Sequence, residues 1–148
     1  MKVIDTYNAI LGAAVAVLSY VLGPHWFLFA LFLGLNIIDW LTGWIKAKIT
    51  GSESSKTGLI GILKKFAYWM VVIASFSLSA AFVEVGKIID MNLGVTTLLG
   101  WFVLASFLVN EGRSICENFV EMGVEVPKVL VKGLQVANKV VNQEDDNE

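Results

Sequence analysis

The chain has 148 residues, of which 56% are hydrophobic and only 16% are charged, and its mean hydropathy of +0.70 lies well above that of soluble proteins. This composition excludes an ordinary soluble domain, and the length leaves no room for a separate catalytic domain beside a membrane-embedded one. The single cysteine, Cys116, excludes an internal disulfide, while the net charge of −2 says little because the distribution of charge matters more.

Four blocks of apolar residues follow one another along the chain, each near the roughly 20 helical residues that cross about 30 Å of hydrocarbon. They predict an all-α integral membrane protein with about four transmembrane helices, over residues 9–23, 26–45, 66–83 and 91–109. We therefore expect a transmembrane domain over residues 1–109, interrupted by a basic cytoplasmic loop over residues 46–65.

The first block is the weakest of the four, because residues 9–23 supply only 15 positions. With Lys2 ahead of it the segment could be a signal peptide, but no small-x-small cleavage site ends the run. The Gly-Pro-His sequence at residues 23–25 instead indicates a helix stop and a turn, so we expect a retained helix. Gly12 and Ala16 give this helix a small-residue face suited to close helix packing.

Asp39 places a carboxylate inside the second apolar block, seven residues before Lys46. At a rise of 1.5 Å per residue, this position is roughly 10 Å below the inner end of the helix. A carboxylate at such depth has to be paired, protonated or in contact with water. Candidate partners on the same side of the membrane are Lys46, Asn110, Glu111 and Arg113. We favour Arg113, whose long side chain can reach inward, with a water-filled path as the alternative.

The segment between the second and third blocks is strongly basic. It contains Lys46, Lys48, Lys56, Lys64 and Lys65 against one acid, Glu53. Because positive residues are retained on the cytoplasmic side, the segment is predicted to be cytoplasmic. With four spans both termini share that side, and Lys87 is the one basic residue of 11 left outside; three spans would place the N-terminus outside instead. Ser55 or Thr57 is expected to cap a short helix that leads into the third span.

Residues 110–148 are amphipathic rather than uniformly apolar. Gly123 and Pro127 are expected to divide them into two helices, because glycine favours a helix stop and proline a helix start. The second helix carries Lys128 and Lys132 beside apolar positions at helical spacing, so it can lie on an anionic membrane or pack against the inner loop. The final residues 144–148 are expected to form a solvated acidic tail.

No catalytic, cofactor-binding or metal-binding arrangement is predicted. His25 is the only histidine, and no cysteine or second histidine lies near it in the sequence. The serines at positions 75, 77 and 79 have no base beside them and are expected to bond helix backbone or a neighbouring helix. Thr50 and Ser55 occupy both glycine positions of a phosphate-binding loop, which argues against nucleotide binding.

Three segments in this order carry a resemblance to a known family. They read "DWLTGWIKA", "SSKTGLIGILKKF" and "NEGRSICENFVEMGVEVP". Together they resemble the toxin-secretion and phage-lysis holin family of small membrane proteins, over roughly residues 26–134. The acidic tail departs from the basic C-terminus often seen in holins.

Mapped onto this chain, the shared motifs give weight to a set of functional or packing positions. These are Asp39, Thr42, Gly43, Lys46, Ser55, Gly58, Gly61, Lys64, Lys65, Asn110, Glu111, Ser114, Glu117, Asn118, Gly123 and Pro127, to which the expected pairing with Asp39 adds Arg113.

The resemblance implies a non-enzymatic protein of the bacterial cytoplasmic membrane that spans it several times with both termini inside. Such proteins form homo-oligomers among membrane lipids and open lesions that release an endolysin, or in some cases a toxin, so that the host lyses. No nucleic acid is expected as a partner. Two other functions stay open: a small transporter, which would need more intramembrane charge, and a membrane anchor that recruits a soluble partner through its amphipathic tail.

Overall fold

The computed structural model describes residues 2–142, apart from the side chains of residues 2–5, 17–18, 20–22 and 142. Within this range the chain is all-helical, without strands, as expected. The helices are α1 (Lys2–Leu22), α2 (Trp26–Thr50), α3 (Ser55–Ile88), α4 (Leu98–Glu121) and α5 (Lys128–Asn142), with a 3-10 turn over Gly94–Thr97 ahead of α4. The acidic tail predicted at residues 144–148 lies outside the described residues.

Three of these elements are long and apolar enough to cross a membrane. They are Trp26–Thr50, Ser55–Ile88 and Gly94–Glu121, with 25, 34 and 28 residues. In α1 the apolar part is shorter and covers Thr6–Ala16. The chain is therefore a membrane protein by length and composition of its helices, and the fourth span stays a prediction.

The segment joining α2 to α3 is more helical than expected. Gly51 ends α2 with a φ of +66°, a conformation that glycine adopts without steric cost, and α3 already begins at Ser55. The cap is Ser54, whose side-chain oxygen accepts a bond from the Thr57 backbone N–H at 3.4 Å. The prediction that Ser55 or Thr57 caps the helix leading into the third span was therefore wrong, because Ser54 is the cap and the helix that it opens continues unbroken into the apolar part of α3.

The break between α4 and α5 lies at Gly123 and Pro127, as predicted. Gly123 has a φ of +81°, and its backbone N–H bonds the carbonyl of Val120 at 2.9 Å, which closes the end of α4. Pro127 immediately precedes α5. In the described structure α5 contacts α4, and a Cβ on Gly112 would lie 3.2 Å from the Leu134 side chain.

The chain divides between Gly34 and Leu35, within α2, into two compact parts. In the second part, α3 and α4 pack through apolar and aromatic groups. Leu104 is 1% exposed, and the rings of Tyr68 and Phe107 stack with centroids 4.5 Å apart.

Two of the three α3 serines that were expected to hydrogen-bond the helix backbone do so. Ser75 donates to the carbonyl of Val72 at 2.9 Å, and Ser79 donates to the carbonyl of Ser75 at 2.8 Å. Both side chains are buried, so these bonds satisfy hydroxyl groups that are shielded from solvent.

Candidate functional site

Polar side chains from three helices meet where α2, α3 and α4 come together. We call them the polar seam: Asp39, Thr42 and Lys46 on α2, Lys65 on α3, and Glu111, Asn118 and Glu121 on α4. The α2 residues lie at intervals of three and four, so they share one face of that helix. The apolar residues of this stretch, Trp40, Leu41 and Trp44 among them, are exposed on its other faces.

Lys65 forms the centre of the seam. Its ammonium lies 2.8 Å from Asp39 Oδ2 and also bonds Glu111 Oε2. The three side chains are 14%, 16% and 4% exposed for Asp39, Lys65 and Glu111, so the charges are largely removed from solvent. One buried ammonium is thus shared by two carboxylates from two other helices.

Asn118 completes the contact between α2 and α4. Its amide nitrogen donates to Asp39 Oδ1 at 3.0 Å and to Thr42 Oγ1 at 3.1 Å, and the whole residue is 6% exposed. A Cβ on Gly43 would lie 3.7 Å from this nitrogen, which is an ordinary van der Waals contact. A looser ion pair follows at the end of the seam, where Lys46 Nζ lies 3.3 Å from Glu121 Oε2.

The expected pairing of Asp39 with Arg113 was wrong. Arg113 bonds Glu117 at 2.8 Å, one turn further along α4, and both side chains are more than half exposed. Arg113 follows Glu111 by two residues, and at 100° per residue this turns it to the far side of α4 from the seam. Lys65, which ends a run of two lysines just before the apolar block of α3, takes its place.

Five further motif positions line a groove beside the seam, together with Lys46 and Asn118 of the seam. The groove has a volume of about 970 Å³ and runs from the α2–α3 turn to Asp39 and Lys65. Among the positions predicted from the motifs, it is lined by Gly43, Lys46, Ser55, Gly58, Gly61, Ser114 and Asn118. A Cβ on Gly58 or Gly61 would meet no atom within 4 Å, so these glycines face open space.

The remaining predicted positions lie elsewhere. Lys64 and Asn110 are exposed, Arg113 and Glu117 pair with each other, and Gly123 and Pro127 form the α4–α5 break. Sequence reasoning missed Glu121, which pairs with Lys46. The signal available was spacing, because Glu111, Asn118 and Glu121 follow helical intervals of seven and three on α4.

Chemically, the seam can hold helices together and supply polar surface, but it offers no nucleophile with an adjacent base. Among the described residues, no group of three histidine, cysteine or acidic side chains is placed to hold a metal ion.

Comparison with known proteins identifies relatives over most of the chain. A model of the bacteriophage holin family matches residues 16–139. A probable holin of Bacillus phage phi105 is 33% identical over 106 residues, which cover 72% of this chain and 70% of that protein.

Two further relatives are uncharacterized proteins. One from Halalkalibacterium halodurans is 33% identical over 128 residues, covering 86% of this chain and 88% of its own. One from Bacillus subtilis is 30% identical over 117 residues, covering 79% and 76%. No solved structure matches the chain. The family that matches is one of membrane proteins and not of enzymes. The resemblance seen in the three sequence motifs is thereby confirmed, and this chain belongs to the bacteriophage holin family.

Proposed function

We propose that the protein acts as a holin: it accumulates in the bacterial cytoplasmic membrane, associates with further copies of itself, and opens lesions through which an endolysin, or a secreted toxin, passes. The observation that carries this proposal is the family match over residues 16–139, which includes the three helices that, among the described residues, are long and apolar enough to span a membrane.

The surface of the described helices is suited to contact with lipid. Within the apolar blocks of α2, α3 and α4, the exposed positions are apolar with the exception of Ser77. Large side chains such as Leu33, Ile73 and Phe102 are about half exposed or more, and lipid is the solvent that makes such exposure favourable. Membrane lipids and further copies of the chain are therefore the direct partners. Endolysin is a functional partner, because it passes through the lesion after the lesion has formed.

We further propose four transmembrane helices with both termini and the α2–α3 turn in the cytoplasm. Support comes from the basic residues, because this arrangement leaves only Lys87 of 11 outside. The tryptophans Trp40 and Trp44 lie one turn apart toward the α2–α3 turn, as expected for anchors at a membrane interface.

Controlled expression in a bacterium tests the holin function. We expect overproduction alone to stop growth and collapse the membrane potential, and a co-expressed cytoplasmic endolysin to cause abrupt lysis. Endolysin without the protein is the control and should leave the cells intact. Continued growth with a preserved membrane potential, at protein levels detectable in the membrane fraction, would contradict the proposal and would favour a passive membrane anchor.

A further inference from the structure

Within the apolar blocks of α2, α3 and α4, the polar side chains apart from Ser77 are buried or half-buried in the protomer, which limits the polar surface available to line a lesion. A lesion that holds water needs a wall of polar groups, because an apolar wall would favour lipid instead. Where these blocks belong to α2, α3 and α4, Ser77 is the one exposed polar residue, while Asn92 and Thr97 are exposed ahead of α4. A single protomer as described therefore presents almost no polar surface from which a wall could be built.

The polar seam is the largest supply of such groups. It contributes three charged groups and two neutral ones at its centre, Asp39, Lys65, Glu111, Thr42 and Asn118, all buried or nearly so. From Leu35 to Thr50, the buried residues of α2 are Asn36 and Thr42, both polar. This part of α2 therefore turns its polar face toward the protein and its apolar face outward.

The two sides of the seam are held by different forces. α3 and α4 share apolar and aromatic contacts, since the Phe76 ring lies against Gly100 and also meets Trp101 edge to face, with centroids 5.0 Å apart. α2 joins α4 through the hydrogen bonds of Asn118 and the ion pair of Lys46. Contacts of this second kind weaken greatly when water can replace the partner, whereas apolar contacts do not.

The groove already brings one side of the seam close to open space. It extends from the α2–α3 turn as far as Asp39 and Lys65, and Ser114 and Asn118 of α4 form part of its lining. In lipid, separation of α2 would strand the charges of the seam, so the seam stays closed. Beside an aqueous opening, separation of α2 would instead place those charges in water, which removes the penalty of leaving them in lipid.

We propose that, when protomers assemble into a lesion, α2 parts from α4 along the polar seam while α3 and α4 stay together, and that the opened seam becomes the water-facing wall. The inference rests on the proposed holin function and adds to it the identity of the lining residues. Thr42 and Asn118 change from buried to water-exposed, whereas Ser79, whose backbone carbonyl accepts a bond from Thr96 Oγ1 of the 3-10 turn at 3.5 Å, stays dry.

Thiol labelling during lesion formation tests which surface opens. The full-length protein with Cys116→Ala is reconstituted in vesicles of phosphatidylethanolamine and phosphatidylglycerol that trap a dye, with a membrane-impermeant thiol reagent on both faces. Thr42→Cys reports on the seam, and Ser79→Cys is the matched control, because each replaces a buried hydroxyl (6% and 4% exposed) by a thiol. We expect the labelling rate at Thr42→Cys to rise at least about tenfold when dye escapes, as a conformation of a few per cent becomes dominant, with no such rise at Ser79→Cys.

A reversible cross-link tests whether opening is required. Lys46→Cys with Glu121→Cys joins α2 to α4 at the edge of the seam and leaves its centre unchanged, and a bifunctional thiosulfonate reagent closes the pair. Phe76→Cys with Gly100→Cys joins α3 to α4 as the control. We expect the first cross-link to block dye release until a reductant is added, and the second to leave release unchanged.

The possible outcomes separate the two proposals. Dye release with an unreactive Thr42→Cys, or with a closed Lys46–Glu121 cross-link, overturns the opening of the seam and leaves the holin function standing. Equal labelling of Thr42→Cys before and after release also overturns it. Absence of dye release from the unmodified protein at any density in the vesicle would instead contradict the holin function.

Discussion

Two carboxylates share one ammonium at the centre of the polar seam. Because there are two acids and one base, the stability of the fold should depend most on the base. Lys65 bonds both Asp39 and Glu111, so its loss leaves two like charges buried without a counter-charge. Loss of either acid leaves one carboxylate facing one ammonium, which is a balanced pair. The three residues are therefore not equivalent, although all belong to one network.

We predict that Lys65→Met is the most damaging single change in the seam. Removing one partner of a buried ion pair costs about 3–5 kcal/mol, whereas Asp39→Asn and Glu111→Gln should each cost clearly less. Urea unfolding of the protein in detergent micelles measures the difference. Lys64→Met is the control, because Lys64 is exposed on the same helix and its loss should change stability little.

Adding Glu111→Gln to Lys65→Met should then recover part of the lost stability, since it removes one of the two stranded charges. If Lys65→Met proved no worse than Asp39→Asn, the shared-ammonium account would be wrong.

We also predict that Asp39 and Arg113 act independently. Arg113 pairs with Glu117 on the exposed side of α4, so it shares no partner with Asp39. The effects of Asp39→Asn and Arg113→Gln on lysis time should therefore add in the double variant, measured as the delay between induction and the fall in culture turbidity. A clear departure from additivity would show that the two residues are coupled after all.

Between elements, α3 and α4 approach closely at Gly100. We therefore predict that replacing glycine by alanine lowers stability at Gly100 but not at Gly61. A Cβ at Gly100 would lie 2.7 Å from the Phe76 ring, so Gly100→Ala should force the ring to move and cost about 1–3 kcal/mol. Gly61→Ala on α3 would meet no atom within 4 Å and should be neutral or slightly stabilising in the isolated protomer. Thermal unfolding in micelles compares the two. Equal destabilisation by both would contradict the tight contact at Gly100.

The sequence predicted which elements exist better than it predicted where they end or which side chains meet. Long apolar runs identify α2, α3 and α4, and Gly123 with Pro127 identifies the last break. The start of α3 was misplaced because Ser54 and Ser55 are both capable caps, and only backbone geometry distinguishes them.

The partner of Asp39 was misassigned for a related reason. Reach and membrane side are readable from the sequence, but the rotation of α4 that turns Glu111 and Asn118 inward and Arg113 outward is set by packing against α3.

For the whole molecule, the topology proposal predicts a cytoplasmic α2–α3 turn. Ser52 is exposed in that turn and is not the helix cap, so Ser52→Cys in the Cys116→Ala background is a suitable reporter. An impermeant thiol reagent should leave it unlabelled in intact cells before lysis and label it once the cells are broken. Labelling in intact cells with a preserved membrane potential would show the opposite orientation.

We propose that this chain, by itself, opens lesions wide enough for a folded enzyme to pass. Vesicles that trap both a small dye and an active endolysin test it directly, with the purified protein added at increasing density. We expect dye and endolysin activity to leave the vesicles together, abruptly, above a threshold density of protein in the membrane. Retention of the endolysin at every density, with or without loss of the dye, would contradict it.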